Sequence, residues 1–224
     1  MHRVFDRRPE FDDRSRAFPV QAVLPRGAAT PPRSQEWACE TWLDQLAEGA
    51  CVGFAWAHEL AAAPHAVSVS DGYARDVYHA AQQIDEWAPS PHSGTSVLAG
   101  AKIVKQRGWI NEYRWAFGLA DLILAVGYKG PAVLGVTWFD SMFSPDSDGF
   151  VRPQTGQEIG GHAILARAVD VERKRFVLHN SWGKGWGRDG EAFLSFDDAA
   201  FLLNRQGEAC VPIGRHSGDA APPA

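Results

Sequence analysis

The hydrophobic period of this chain changes near residue 130, and that change restricts the fold more than any other feature. Before it, apolar residues recur every three to four positions, as on one face of a helix. After it, apolar and polar residues alternate over short runs, as in strands. Residues 51–63 read as a helix with Val52, Ala55, Trp56, Leu60 and Ala63 on or near one stripe, stopped by Pro64. Ser70 or Asp71 caps a second helix over 72–87, with Tyr73, Val77, Ala80, Ala81 and Ile84 on one side. Ser96 caps a third over 97–107, ended by Gly108, and 116–126 reads as a fourth, closed by Gly127 and Gly130. Residues 131–138, 162–171, 175–181, 191–196 and 208–213 read as strands, with a short helix over 197–204 capped by Asp197. Helices first and antiparallel strands second make an α+β chain. Residues 139–160 read as one long irregular loop, a length that in compact domains usually serves function.

Residues 1–34 differ from the rest. They hold seven arginines and five of the fourteen prolines, too few apolar side chains for a core of their own. The segment is expected to run extended over the body, pinned by Phe5, Phe11, Phe18, Val20 and Leu24, or to be a loose tail over 1–15. The chain then divides into an extension (1–34), a body (35–214) and a loose tail (215–224).

Net charge of −5 gives no footprint for nucleic acid. No apolar run reaches membrane-spanning length, and the charged N-terminus has no signal-peptide core. Three cysteines (Cys39, Cys51, Cys210) are too few and too odd for a disulfide framework, which fits a reducing, cytoplasmic setting. A Cys39–Cys210 bridge is left open.

Chemistry concentrates at three places. Cys51 begins the first helix, where unpaired N–H groups and the helix dipole favour a thiolate. Gln45 lies across a glycine-containing turn from it, so its amide and the Cys51 N–H form a candidate oxyanion hole. His162, in IGGHAIL, starts an apolar strand and needs partners for its ring nitrogens. Asn180, in HNSWGKGWGRDG, ends the next strand; a hairpin through residues 170–174 brings it to His162. Its oxygen would then fix the imidazole tautomer, and Trp182 would shield that bond from water. His58 and His179 read as structural. Taken singly, each has a plainer reading: a core thiol, a core histidine, a turn asparagine.

Together, Gln45 and Cys51 in DQLAEGACVGFA, His162 in GGHAIL and Asn180 in HNSWGKGWGRDG resemble the papain-like (C1 family) cysteine peptidases. The resemblance runs from about Trp37 to Val211. It implies a two-lobe fold, with a helical lobe over about 35–128, a β-barrel-like lobe over about 129–214 and the cleft between them. It implies Cys51 as nucleophile, His162 as general base and then acid, Asn180 as orienter, Gln45 in the oxyanion hole and Trp182 as shield. Gly94, Thr95 and Gly161 would line the substrate cleft, with Trp138, Phe139 and Met142 as further pocket candidates. The family's usual cysteine three before the nucleophile is Glu48 here, and the following tryptophan is Val52, which fits a disulfide-poor bacterial branch without the long propeptide. The expected function is a cysteine endopeptidase working through a thioester, with no metal or cofactor. Its partners would be a peptide or protein substrate and a protein inhibitor, with no nucleic acid or membrane, and it would act as a monomer. An acyl transferase or ligase, and a silent papain-like binding module, are the alternatives.

Overall fold

A computed structural model describes residues 5–10, 12–24 and 30–217. Phe11 and residues 218–224 lie outside the described residues. Strand β1 spans Gln35–Glu36, helix α1 Cys51–Ala61, α2 Asp71–Gln82, α3 Val97–Gln106, β2 Ile110–Trp115, α4 Leu119–Tyr128, β3 Ala132–Phe139 and β4 Glu158–Asp170. The remaining elements are β5 Arg175–His179, β6 Glu191–Ser195, α5 Phe196–Leu203 and β7 Glu208–Arg215. Among the described residues the strands form one sheet in the order β2-β7-β3-β4-β5-β6, with β1 pairing to β4, and these neighbours are all antiparallel.

Both faces of this sheet are covered, so its central strands lose the alternation of a half-buried strand. All eight residues of β3 are buried. Val133 with Ala163 and Leu165 faces the core shared with α1, α2 and α3. Leu134, Val136 and Trp138 with Ile164 and Ala166 face the second core, where α4 and α5 pack. The cleft residues sit where these two cores meet.

Helix α1 is buried at every position, which suits its Ala-rich, all-round apolar sequence. Its two polar interior residues each meet one partner, and His58 Nδ1 makes no hydrogen bond among the described residues. His58 Nε2 accepts from Leu43 N–H at 3.2 Å, and Glu59 pairs with Arg215 at 2.9 Å. Ser70 and Ser96 cap α2 and α3, each hydroxyl accepting an N–H three residues on.

Boundaries moved where tertiary packing outweighed local pattern. Helix α2 stops at Gln82, five residues before the expected end, and Ile84 is exposed. Helix α4 begins at Leu119, so Gly127 lies inside it. Ser195, not Asp197, caps α5; Asp197 sits in its first turn. Strand β2 was not expected, because Asn111, Glu112 and Arg114 hide the alternation of this end strand. The 139–160 stretch contains two 3-10 turns, Asp140–Phe143 and Pro153–Thr155, before β4 begins at Glu158.

The described residues of the N-terminal segment pack on the body. Val20 and Leu24 join the second core, and Trp115 N–H donates to Phe18 O at 2.9 Å. The side chain of Arg215, the last residue of β7, is buried against the end of α1. Cys39, Cys51 and Cys210 are all free thiols. Among the described residues no helix is long and apolar enough to cross a membrane.

Candidate active site

Cys51 is the first residue of α1, and no side chain caps that helix end. The sulfur meets β4, where the backbone N–H of Ala163 points at it. His162 is the preceding residue on β4, opposite Val136 of β3. Beyond the β4–β5 hairpin the chain returns to Asn180, whose Oδ1 lies 2.9 Å from His162 Nε2 and also accepts Ser181 N–H at 2.8 Å. An amide oxygen only accepts, so Nε2 carries the proton in this pair. The rings of Trp182 and His162 lie 5.1 Å apart.

Gln45 is fully buried in the turn before α1. Its Oε1 accepts from the Ser181 hydroxyl at 2.6 Å, and its Nε2 donates to Glu48 O at 2.9 Å. Gln45 N–H donates to Ser181 O at 3.0 Å, and Gly183 N–H to Leu43 O at 3.1 Å. The turn bearing Gln45 is thus paired with the loop bearing Asn180 and Trp182. Ser181 is a site residue that sequence reading missed, since a serine beside an asparagine carries no pattern of its own.

The cleft is occupied by the chain itself. Residues 5–8 cross it as an extended strap. Arg7 N–H donates to Gly161 O and Arg8 N–H to Thr95 O, both at 2.9 Å, and both contacts are parallel bridges or adjoin one. Two glycines permit the approach. A Cβ at Gly161 would come within 2.1 Å of Arg7 O, and one at Gly94, whose φ is +79°, within 1.6 Å of Asp6 O. The Phe5 ring packs against Trp138, Phe143, His162 and Trp182, with centroids 5.2–6.3 Å away. Asp6 bonds the Ser93 hydroxyl. Arg7 turns inward to Glu208, with Nη2 2.7 Å from Oε1. Gly94, Thr95 and Gly161, the cleft candidates, therefore all touch the strap. Trp138 meets Phe5, whereas Phe139 packs on Phe201 and Met142 is wholly buried in the second core.

This cover reverses the electrostatics expected at a helix mouth. Cys51 and His162 are both 0% exposed. Burial pushes the Cys51 thiol up to about 11, and the N–H groups of Ala163 and Asp6 only partly offset it.

A second cysteine–histidine pair lies beyond the cleft. Cys39 Sγ is 3.8 Å from His179 Nε2, and His179 Nδ1 is 3.0 Å from Glu191 Oε1. That series resembles a catalytic triad but is saturated. His179 Nε2 lies 2.9 Å from Thr41 O, and the Cys39 thiol lies within reach of the Thr41 and His58 carbonyls. Burial disfavours the charged ring, but Cys39, Glu191 and Thr41 outweigh it and raise His179 to about 9. With both ring nitrogens carrying protons, His179 is an ion-pair partner of Glu191 and not a base.

No protein-family model matches the chain. It is 41% identical over 64 residues to an uncharacterized peptidase C1-like protein of Acanthamoeba polyphaga mimivirus. That match covers 27% of this chain and 21% of the viral protein, so the chain spans about a fifth of that relative. Among solved structures it is similar to xylellain, a cysteine protease from Xylella fastidiosa, with TM-score 0.67, 19% identity, 95% of this chain and 96% of that one. It is similar to the stem bromelain precursor, with TM-score 0.59, 15% identity, and 96% and 76% of the two chains. It is also similar to digestive procathepsin L 3 of Tenebrio molitor larval midgut, with TM-score 0.58, 16% identity, and 82% and 71%. The helices, the covered antiparallel sheet and the cleft between their two cores are the papain-like cysteine-protease fold.

Proposed function

We propose that the chain is a cysteine endopeptidase with Cys51 as nucleophile, His162 as base and acid, and Asn180 as the group that orients His162. One observation carries the reading: an extended peptide, residues 5–8 of the chain, already lies across Cys51 with backbone hydrogen bonds to both walls of the cleft. A groove that holds an extended backbone in this way suits a peptide substrate.

In the reaction, Cys51 passes its thiol proton to His162 Nδ1, since Nε2–H is committed to Asn180. The thiolate attacks the substrate carbonyl carbon. The Cys51 backbone N–H and the Gln45 side-chain N–H not held by Glu48 receive the developing oxyanion. The C–N bond breaks, His162 returns the proton to the leaving amine, and water then hydrolyses the thioester. Trp182 covers the His162–Asn180 bond. Gly94, Thr95 and Gly161 hold substrate backbone once the strap leaves.

The test is alkylation by an epoxide inhibitor of thiol proteases, with the labelled residue mapped by mass spectrometry, beside peptide-library cleavage. The full-length chain and a strap-loosening Arg7→Ala variant are compared, with Cys51→Ala as control. Selective labelling of Cys51, and turnover abolished in Cys51→Ala with thermal stability nearly unchanged, are expected. Absence of Cys51 labelling in both chains, or turnover that survives Cys51→Ala, would overturn the reading.

A further inference from the structure

We propose that Glu208 forms the floor of a specificity pocket that selects substrates by a basic side chain, arginine above all. This rests on the peptidase reading and names the substrate class of that site.

The pocket is visible because Arg7 fills it. The Arg7 side chain is 3% exposed, although its backbone lies at the cleft surface against Gly161 and Thr95. Its guanidinium end lies beside Gly135, against which Val97 also packs. A Cβ at Gly135 would lie 2.6 Å from Arg7 Nε, 2.8 Å from Glu208 Oε1 and 2.8 Å from Val97 Cγ2. Any larger residue at 135 would close the channel. At its end Arg7 Nε and Nη2 donate to Glu208 Oε1 at 3.1 and 2.7 Å, and Nη2 also donates to Gln206 O at 2.9 Å.

The floor belongs to β7 and the turn before it, not to the strap. When the strap leaves, the carboxylate stays, held in a pocket where its side chain is 15% exposed with Arg7 in place. A largely buried carboxylate without a cation is costly, and an apolar side chain entering the pocket would leave it so. A guanidinium replaces the Arg7 contacts at the same atoms. Burial raises the Glu208 carboxyl even with Arg7 beside it.

Within the strap, Asp6 directs its N–H at the Cys51 sulfur and its carbonyl oxygen lies against Gly94. Arg7 anchors the strap through the pocket a substrate would use.

The experiment is a positional-scanning peptide library read by mass spectrometry, run on full-length Arg7→Ala and on full-length Arg7→Ala/Glu208→Gln. The expected result is one subsite at which arginine exceeds leucine by roughly a hundredfold in kcat/KM, with lysine between them. Glu208→Gln should collapse that preference to within a few fold while cleavage of leucine peptides persists. A profile in Arg7→Ala without basic preference at any subsite would overturn the proposal, as would a preference unchanged by Glu208→Gln. A second measurement needs no variant: the rate at which peptidyl epoxides differing only in arginine or norleucine alkylate Cys51 of the unaltered chain. The arginine probe should react faster, and equal rates count against the pocket. If no peptide is cleaved and no probe reaches Cys51, the peptidase reading fails and the proposal falls with it; cleavage without basic selection overturns the pocket alone.

Discussion

The Ser181 hydroxyl donates to Gln45 Oε1 at 2.6 Å, joining two fully or nearly buried residues 136 positions apart. The bond fixes which end of the Gln45 amide is oxygen and therefore where its N–H groups point. Ser181 also follows Asn180 directly, so one loop sets both the proposed orienter of the base and the proposed donor of the oxyanion hole. Ser181→Ala is expected to lower kcat about tenfold with little change in KM, and Gln45→Ala about a hundredfold. Steady-state kinetics in the Arg7→Ala background reads both. A Ser181→Ala effect confined to KM would contradict the positioning role.

On the proposed roles, His162→Ala should cost more than Asn180→Ala, because the first would remove the base and the second only its orientation. Asn180→Ala should also change the shape of the pH–rate profile. Equal or greater loss from the asparagine change, in a folded protein, would contradict the assigned roles.

Burial under the strap raises the Cys51 thiol to about 11. At pH 7 only about one molecule in 10,000 would then hold a thiolate. Loosening the strap with Asp6→Ala or Arg7→Ala restores solvent and should move the midpoint of alkylation rate against pH downward by more than one unit. An unchanged midpoint would show that the strap does not govern the thiol.

His179 gives stability a defined pH dependence. Its folded-state value of about 9 lies above the ordinary histidine value of 6.5, so its contribution is complete below 6.5 and is lost as pH rises towards 9. Glu191, its partner, is held below the usual carboxylate range: burial opposes this, but His179 and Arg167 outweigh burial. Denaturant unfolding should show a loss on the order of 2 kcal/mol between pH 6.5 and 9, mostly absent in His179→Gln. A flat wild-type curve over that window would remove the ion pair from the account.

Arg215 donates to the carbonyls of Glu59, Leu60, Ala62 and Ala63 at the end of α1 and pairs with the Glu59 carboxylate, which is 0% exposed. Arg215→Ala leaves a buried acid and several carbonyls without their cation, and should cost about 3–5 kcal/mol in denaturant unfolding. Glu59→Gln in the same background should restore part of it. A loss below about 1 kcal/mol would mean the pair is replaceable by water.

The change of hydrophobic period near residue 130 determined the α+β order, and Ser70, Ser96 and Gly108 determined three helix ends, because capping chemistry is local. The hairpin between β4 and β5 likewise made the His162–Asn180 contact legible, since antiparallel strands joined by a tight turn return their far ends to one place. Strand β2 was hidden because its charged residues gain their place only by pairing with β7. The path of residues 5–8 was hidden for the same kind of reason. Phe5, Asp6, Arg7 and Arg8 carry no periodicity; each is held by a distant residue, Trp182, Ser93, Glu208 and Thr95 in turn. Sequence alone determined which residues could do chemistry, through spacing and local backbone preference. Tertiary structure alone decided that the thiol is covered and raised, and that an arginine lies on Glu208, because burial and ion pairing depend on segments brought together from opposite ends of the chain.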